Sequence, residues 1–208
     1  MYKKLIIINL TVLLLVTAMY IASYYFMNYP MQFDLWYMIK ECQLQYLPAI
    51  FAVTALASYL VSSLDFKKLN FKSKFLSVFL LLNALALAFF VYIAADGFIK
   101  NKTELRNQED SYTKEAEKDI RKGQIVIRYA GGLSLSVHDE KTNKKVDSIC
   151  KRYGIVYKNT GCSIDRIDQK AQEKYSELTH PYLDKRNGKG WEGRMEKAIH
   201  DLKKISKK

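Results

Sequence analysis

Few side chains in this chain are spaced for chemistry. Two of its three cysteines, Cys150 and Cys162, stand twelve positions apart in a lysine-rich stretch, too far apart for a CxxC redox or zinc clip. Joined, they would close a loop and contribute about 3 kcal/mol in the chain-entropy model; in a reducing compartment they would be buried free thiols. The histidines His138, His180 and His200 are scattered, and no pair of His, Cys or acidic residues has the close spacing of a zinc or metalloprotease site. His180, just before Pro181, reads as a helix-end residue. Gly131-Gly132, followed by "LSLS", is neither a GxGxxG nor a Walker pattern and reads as a turn. His138-Asp139-Glu140 sets acid and base in a row, but adjacent residues point in different directions. There is no nucleophile elbow and no Cys–His pair with an orienting third group. The expectation is a protein with no cofactor, no metal and no enzymatic activity.

Whether Cys150 and Cys162 pair depends on their compartment, and the first half of the chain decides that. Residues 5 to 33, 42 to 64 and 75 to 95 carry no charge, each long enough to cross a hydrocarbon core of about 30 Å, which takes about 20 helical residues. The third run holds thirteen Leu, Ile, Phe or Val, about −4 to −8 kcal/mol toward insertion. The second is richer in Ala, Ser and Thr, with Pro48 in its first turn, where proline is tolerated. Three transmembrane helices are therefore expected at about 5–28, 45–64 and 75–96. Thr54, Ser58 and Ser62 recur every four residues on one face of the second, the small-residue spacing that lets membrane helices approach closely. A solute path would want ionisable residues at mid-membrane, and the spans hold none.

Six basic residues, in "MYKK" and the 65–74 loop, lie on one side of these spans; four, Lys40, Lys100, Lys102 and Arg106, lie on the other. The positive-inside rule places the N-terminus in the cytoplasm and the C-terminal part outside it, in the periplasm of a bacterial cell whose inner membrane holds the spans. If the first span were instead a leader cleaved near Val16-Thr17-Ala18, residues 99 to 208 would again lie outside. Extracytoplasmic cysteines in a small domain usually pair, so a Cys150–Cys162 disulfide is expected.

Residues 99–121 are nearly all polar and read as a solvated helical stalk or a linker. From 122 to 208 the pattern is a small α+β domain of two strands and about three helices. "QIVIRYAGG" is a strand ended by a turn. Val146, Ile149, Cys150 and Tyr153 form the apolar face of a helix closed by Gly154, and "IVYKNTGC" is the next strand. Such a strand–helix–strand unit favours a parallel pair. A helix follows with Asp165 or Ser163 as N-cap and Ile167, Ala171, Tyr175, Leu178 and Tyr182 on its apolar face, kinked or broken at Pro181. "RNGKG" is a loop, and a last helix sets Trp191, Met195, Ala198, Ile199 and Leu202 on one face.

The succession "GQIVIRYAGG", "KRYGIVYKNTGC" and "YLDKRNGKGWEGRMEKAI" resembles the FEKKY-domain family of small bacterial proteins, with its Tyr-Gly dipeptide, Gly-Cys after the next strand and Asn-Gly-x-x-Trp turn before a terminal helix. The likeness covers residues 122 to 204; where the family's name has Phe-Glu-Lys-Lys-Tyr, this chain reads Met195 to Ile199 and keeps the central Glu-Lys. The resemblance implies a domain boundary and no particular activity.

From Lys100 onward there are 26 Lys and Arg against 17 Asp and Glu, a net of +9. Acids interleave with the basic residues and no aromatic stacking platform accompanies them, so no nucleic-acid partner is expected. The partners expected are the lipid bilayer and a protein, with Trp191 and Tyr129 as contact aromatics. The function read from the sequence is an integral membrane protein displaying an extracytoplasmic α+β binding module. The alternative is an immunity or defence protein that neutralises a membrane-active or periplasmic toxin.

Overall fold

The structure is a computed structural model that describes residues 2–64, 70–130, 140–161 and 165–205. Two units divide the chain, Met1–Lys102 and Thr103–Lys208. The first contains α1 (Tyr2–Met27), α2 (Leu35–Glu41), α3 (Tyr46–Ser63) and the beginning of α4 (Phe71–Lys122). Helices α1, α3 and α4 are long and apolar enough to cross a membrane.

The burial pattern of this unit inverts that of a water-soluble bundle. Its interior holds Asn9, Ser58, Ser62 and Asn83, the last only 1 % exposed, while Leu14 is 69 % exposed and Val53, Leu81 and Phe89 also face outward. In water such a surface would be a large apolar patch; against lipid it is the expected one, with small and polar residues drawing the helices together. The interior polar groups are satisfied locally. Ser58 Oγ donates to the Thr54 carbonyl and Ser62 Oγ to the Ser58 carbonyl, both at 2.6 Å. Bonds between helices include Thr54 Oγ1 to Asn83 Oδ1 at 3.5 Å and Asn9 Nδ2 to the Leu76 carbonyl at 3.1 Å. Because Ser58 has no free surface, Ser58→Leu should overpack the seam and cost about 1–3 kcal/mol, read as a lower thermal midpoint in micelles; Ser63→Leu on the exposed side should leave it unchanged. Between α1 and α3, Met38 of α2 is buried while Trp36 is 80 % exposed, a placement that suits an interfacial aromatic.

The second unit contains the end of α4, then β1 (Ile125–Tyr129), α5 (Glu140–Arg152), β2 (Ile155–Asn159), α6 (Arg166–Asn187) and α7 (Trp191–Ile205). The strands pair in parallel, Ile125 opposite Ile155 through Tyr129 opposite Asn159. Ile125, Ile149, Cys150, Ile155, Tyr175, Leu183, Trp191 and Met195 are the centre of its core. Ala198, Ile199 and Leu202 of α7 pack around them.

Three expectations change. The stretch read as a solvated stalk or linker is helical and, from Thr103, belongs to the second unit: Ala116 lies inside the core, with Tyr112 and Ile120 packed against it. Its apolar stripe is one residue wide at four-residue spacing, too narrow to stand out among the charges. Next, α6 runs unbroken through Pro181. Proline removes the bond to the Glu177 carbonyl, but Glu177 sits on the exposed face, where water can take that bond. The buried stripe continues through Thr179 and Leu183, with Tyr182 packed partly buried against the core and Leu178 exposed. Finally, Trp191 is only 2 % exposed, so it is a core residue and not an exposed surface aromatic.

Two stretches singled out in the sequence, Tyr153-Gly154 and the turn that begins at Asn187, meet in space. Gly154 has φ +76°, Asn187 Nδ2 donates to the Tyr153 carbonyl at 2.9 Å, and the Arg194 guanidinium closes the following turn on the carbonyls of Asn187 and Lys189 at 2.6 and 2.9 Å. A Cβ at Gly154 would lie 2.4 Å from Arg186 Nη1, which itself donates to the Gly123 carbonyl. Gly154→Ala should thus cost about 1–2 kcal/mol from its left-handed backbone alone, checked by urea unfolding.

Candidate binding groove

Backbone geometry sets the site. Ile125 N donates to the Gly154 carbonyl at 2.7 Å and Thr160 N to the Tyr129 carbonyl at 3.0 Å, so the odd-numbered residues of β1 bond to β2. The even-numbered ones direct their N–H and C=O groups to the opposite, free edge, because groups in a parallel ladder alternate. Facing that edge is α6, whose Gln172, Tyr175, Ser176, Thr179, His180 and Leu183 share one helical face. With Trp191 and Glu192 from α7 they line a cavity of about 220 Å³ beside Ile125–Arg128.

A polar cluster joins α4, α6 and β1. Tyr175 Oη accepts from the Val126 N–H at 2.9 Å and donates to Asp119 Oδ2 at 2.8 Å. Tyr112 Oη donates to Asp168 Oδ1 at 2.6 Å, and Gln172 Nε2 donates to Asp168 Oδ2 at 2.7 Å. The Arg128 guanidinium donates to Glu115 and lies 4.8 Å above the Tyr112 ring and 5.5 Å above the Tyr175 ring. Burial first, then the hydrogen bond to Asp168, pushes the Tyr112 hydroxyl up to about 12. Burial also raises Tyr175, reinforced by Asp119 and opposed by the Val126 N–H. Both phenols are neutral donors at physiological pH, unsuited to act as bases or nucleophiles. The cluster ties α4 and α6 to β1 at Val126 and at the Arg128 side chain, and the groove lies beside it.

At the mouth, His180 Nε2 lies 3.0 Å from Glu192 Oε1, and Trp191 Nε1 donates to Asp184 Oδ1 at 3.0 Å. His180 thus sits inside α6 and links it to α7. Tyr129 is 43 % exposed and packs edge-on against Tyr157, their centroids 6.3 Å apart. Of the other sequence candidates, Cys150 is buried and has no disulfide partner among the described residues, and its thiol is raised by burial first and then by Asp147. Cys162, Gly131, Gly132, His138 and Asp139 lie outside those residues. Among the described residues no group of three or more His, Cys, Asp or Glu is placed to hold a metal ion. The groove's strongest signals, backbone parity at a strand edge and residues from three elements, carry no motif, which is why sequence reasoning missed it.

The class that fold and site define is a bundle-like unit of three span-length helices joined to an α+β unit with a groove at its strand edge. No family model, no curated protein and no solved structure matches the chain.

Proposed function

We propose that the protein is an integral membrane protein of the bacterial inner membrane that displays its second unit outside the cytoplasm as a binding module for a protein partner. The observation that carries the reading is the pairing of an inverted, lipid-adapted first unit with a second unit that keeps a groove open beside a strand edge. The positive-inside count supplies the orientation, and the resemblance to the FEKKY-domain family is kept as part of the same reading. The pairing of Cys150 with Cys162 belongs to it as well: two thiols would lose two electrons and two protons to an extracytoplasmic thiol oxidant. The narrower role, neutralising a membrane-active or periplasmic toxin, would use the same module and differs only in the captured partner.

A photo-crosslinking residue at Tyr129 tests the binding role. The expected outcome is one discrete adduct in cells, reduced when Tyr157→Ser removes the neighbouring ring. Absence of any adduct at Tyr129 and at Ser176, which lines the groove, would overturn it.

A further inference from the structure

We propose that the free edge of β1 is a strand-addition site for an extended segment of a partner protein, which seats one large apolar side chain in the cavity beside Trp191 and sets a lysine or arginine against Glu192; this rests on the binding-module reading. Three observations converge. The first is main-chain chemistry. Only Val126 N–H on this edge is occupied, by Tyr175 Oη; among the described residues the Val126 carbonyl and the N–H and carbonyl of Arg128 have no hydrogen-bond partner. Exposed backbone groups in a row are what an incoming strand pairs with, while pockets for its alternate side chains select the sequence.

The second observation is volume. The cavity of about 220 Å³ exceeds the roughly 150 Å³ that suffices for benzene in an engineered apolar cavity, so it has room for a Leu, Met or Phe side chain above Leu183 and Trp191. The third is charge. In a unit rich in lysine, the Glu192 carboxylate at the mouth meets only His180, and no Lys or Arg lies within ion-pair distance of it among the described residues. Glu173 and Glu177 on the next faces of α6, by contrast, are each engaged by a lysine. A cationic side chain on the partner supplies the missing complement.

The test uses the full-length chain in lipid nanodiscs and a displayed library of short random peptides. Selected sequences should share a large apolar residue near a Lys or Arg. Ser176→Trp, which fills the groove from an exposed position on α6, and Glu192→Lys should each weaken binding about tenfold or more; should one variant not fold, the other carries the comparison. Methylating the peptide's backbone nitrogens should abolish binding at alternate positions only, a signature that side-chain docking alone does not produce. Tolerance at every position, or failure to select any sequence, would overturn strand addition. Self-association lost in Ser176→Trp would overturn it in favour of a second copy. Peptides that bind but ignore both variants would overturn this site and leave the binding module standing.

Discussion

Trp191→Ala is expected to destabilise the second unit by about 3–5 kcal/mol, the range for truncating a buried large aromatic, against about 5–15 kcal/mol for a whole domain. The indole is 2 % exposed, lies in the core with Leu183 and Met195, and spends its one donor on Asp184. Alanine would leave a cavity between α6 and α7 and strip Asp184 of that bond. Trp191→Phe keeps most of the bulk and should recover the larger part of the loss. Urea unfolding of the full-length protein in micelles, followed by near-ultraviolet circular dichroism, makes the comparison; an Ala variant as stable as the parent would restore Trp191 as a contact residue.

Alkaline pH should unfold the second unit through two phenols, the buried Tyr175 and the half-buried Tyr112. Tyr112 is raised to about 12 and Tyr175 is raised too, burial being the largest cause in both, while the same groups in the unfolded chain titrate near 10. Above about pH 10 the unfolded chain releases protons that the folded one retains. Its bound-proton number is then the smaller, so stability falls as pH rises. The contribution is complete below pH 10 and is lost progressively through about pH 12. Tyr175→Phe should cost about 1–3 kcal/mol at neutral pH, because Asp119 and the Val126 N–H lose their shared partner. It should also flatten the alkaline limb. Unfolding midpoints at pH 8, 10 and 11 in parent and variant test this; identical slopes would contradict it.

What could be read from the sequence was whatever repeats. The three apolar runs correspond to α1, α3 and the start of α4, and the period of Val146, Ile149 and Cys150 together with the β-rich flanks gave a parallel strand–helix–strand unit. The end of α4 escaped because Tyr112, Ala116 and Ile120 form a stripe diluted by charges. Continuity of α6 escaped because proline's local penalty was weighed without the packing of both flanking turns. Trp191 falls on an apolar face by periodicity, but periodicity does not say what covers that face. The groove depends on which backbone groups of β1 are left over after pairing with β2, and no side-chain pattern encodes that.

The most direct test of the central claim is the side of the membrane on which residues 103–208 reside. A reporter active only outside the cytoplasm, fused after Lys208, should be active in intact cells, and Cys150 and Cys162 should take up alkylating reagent in unfolded extracts only after reduction. A silent reporter with both thiols open to alkylation without reductant would place the second unit in the cytoplasm and contradict the account.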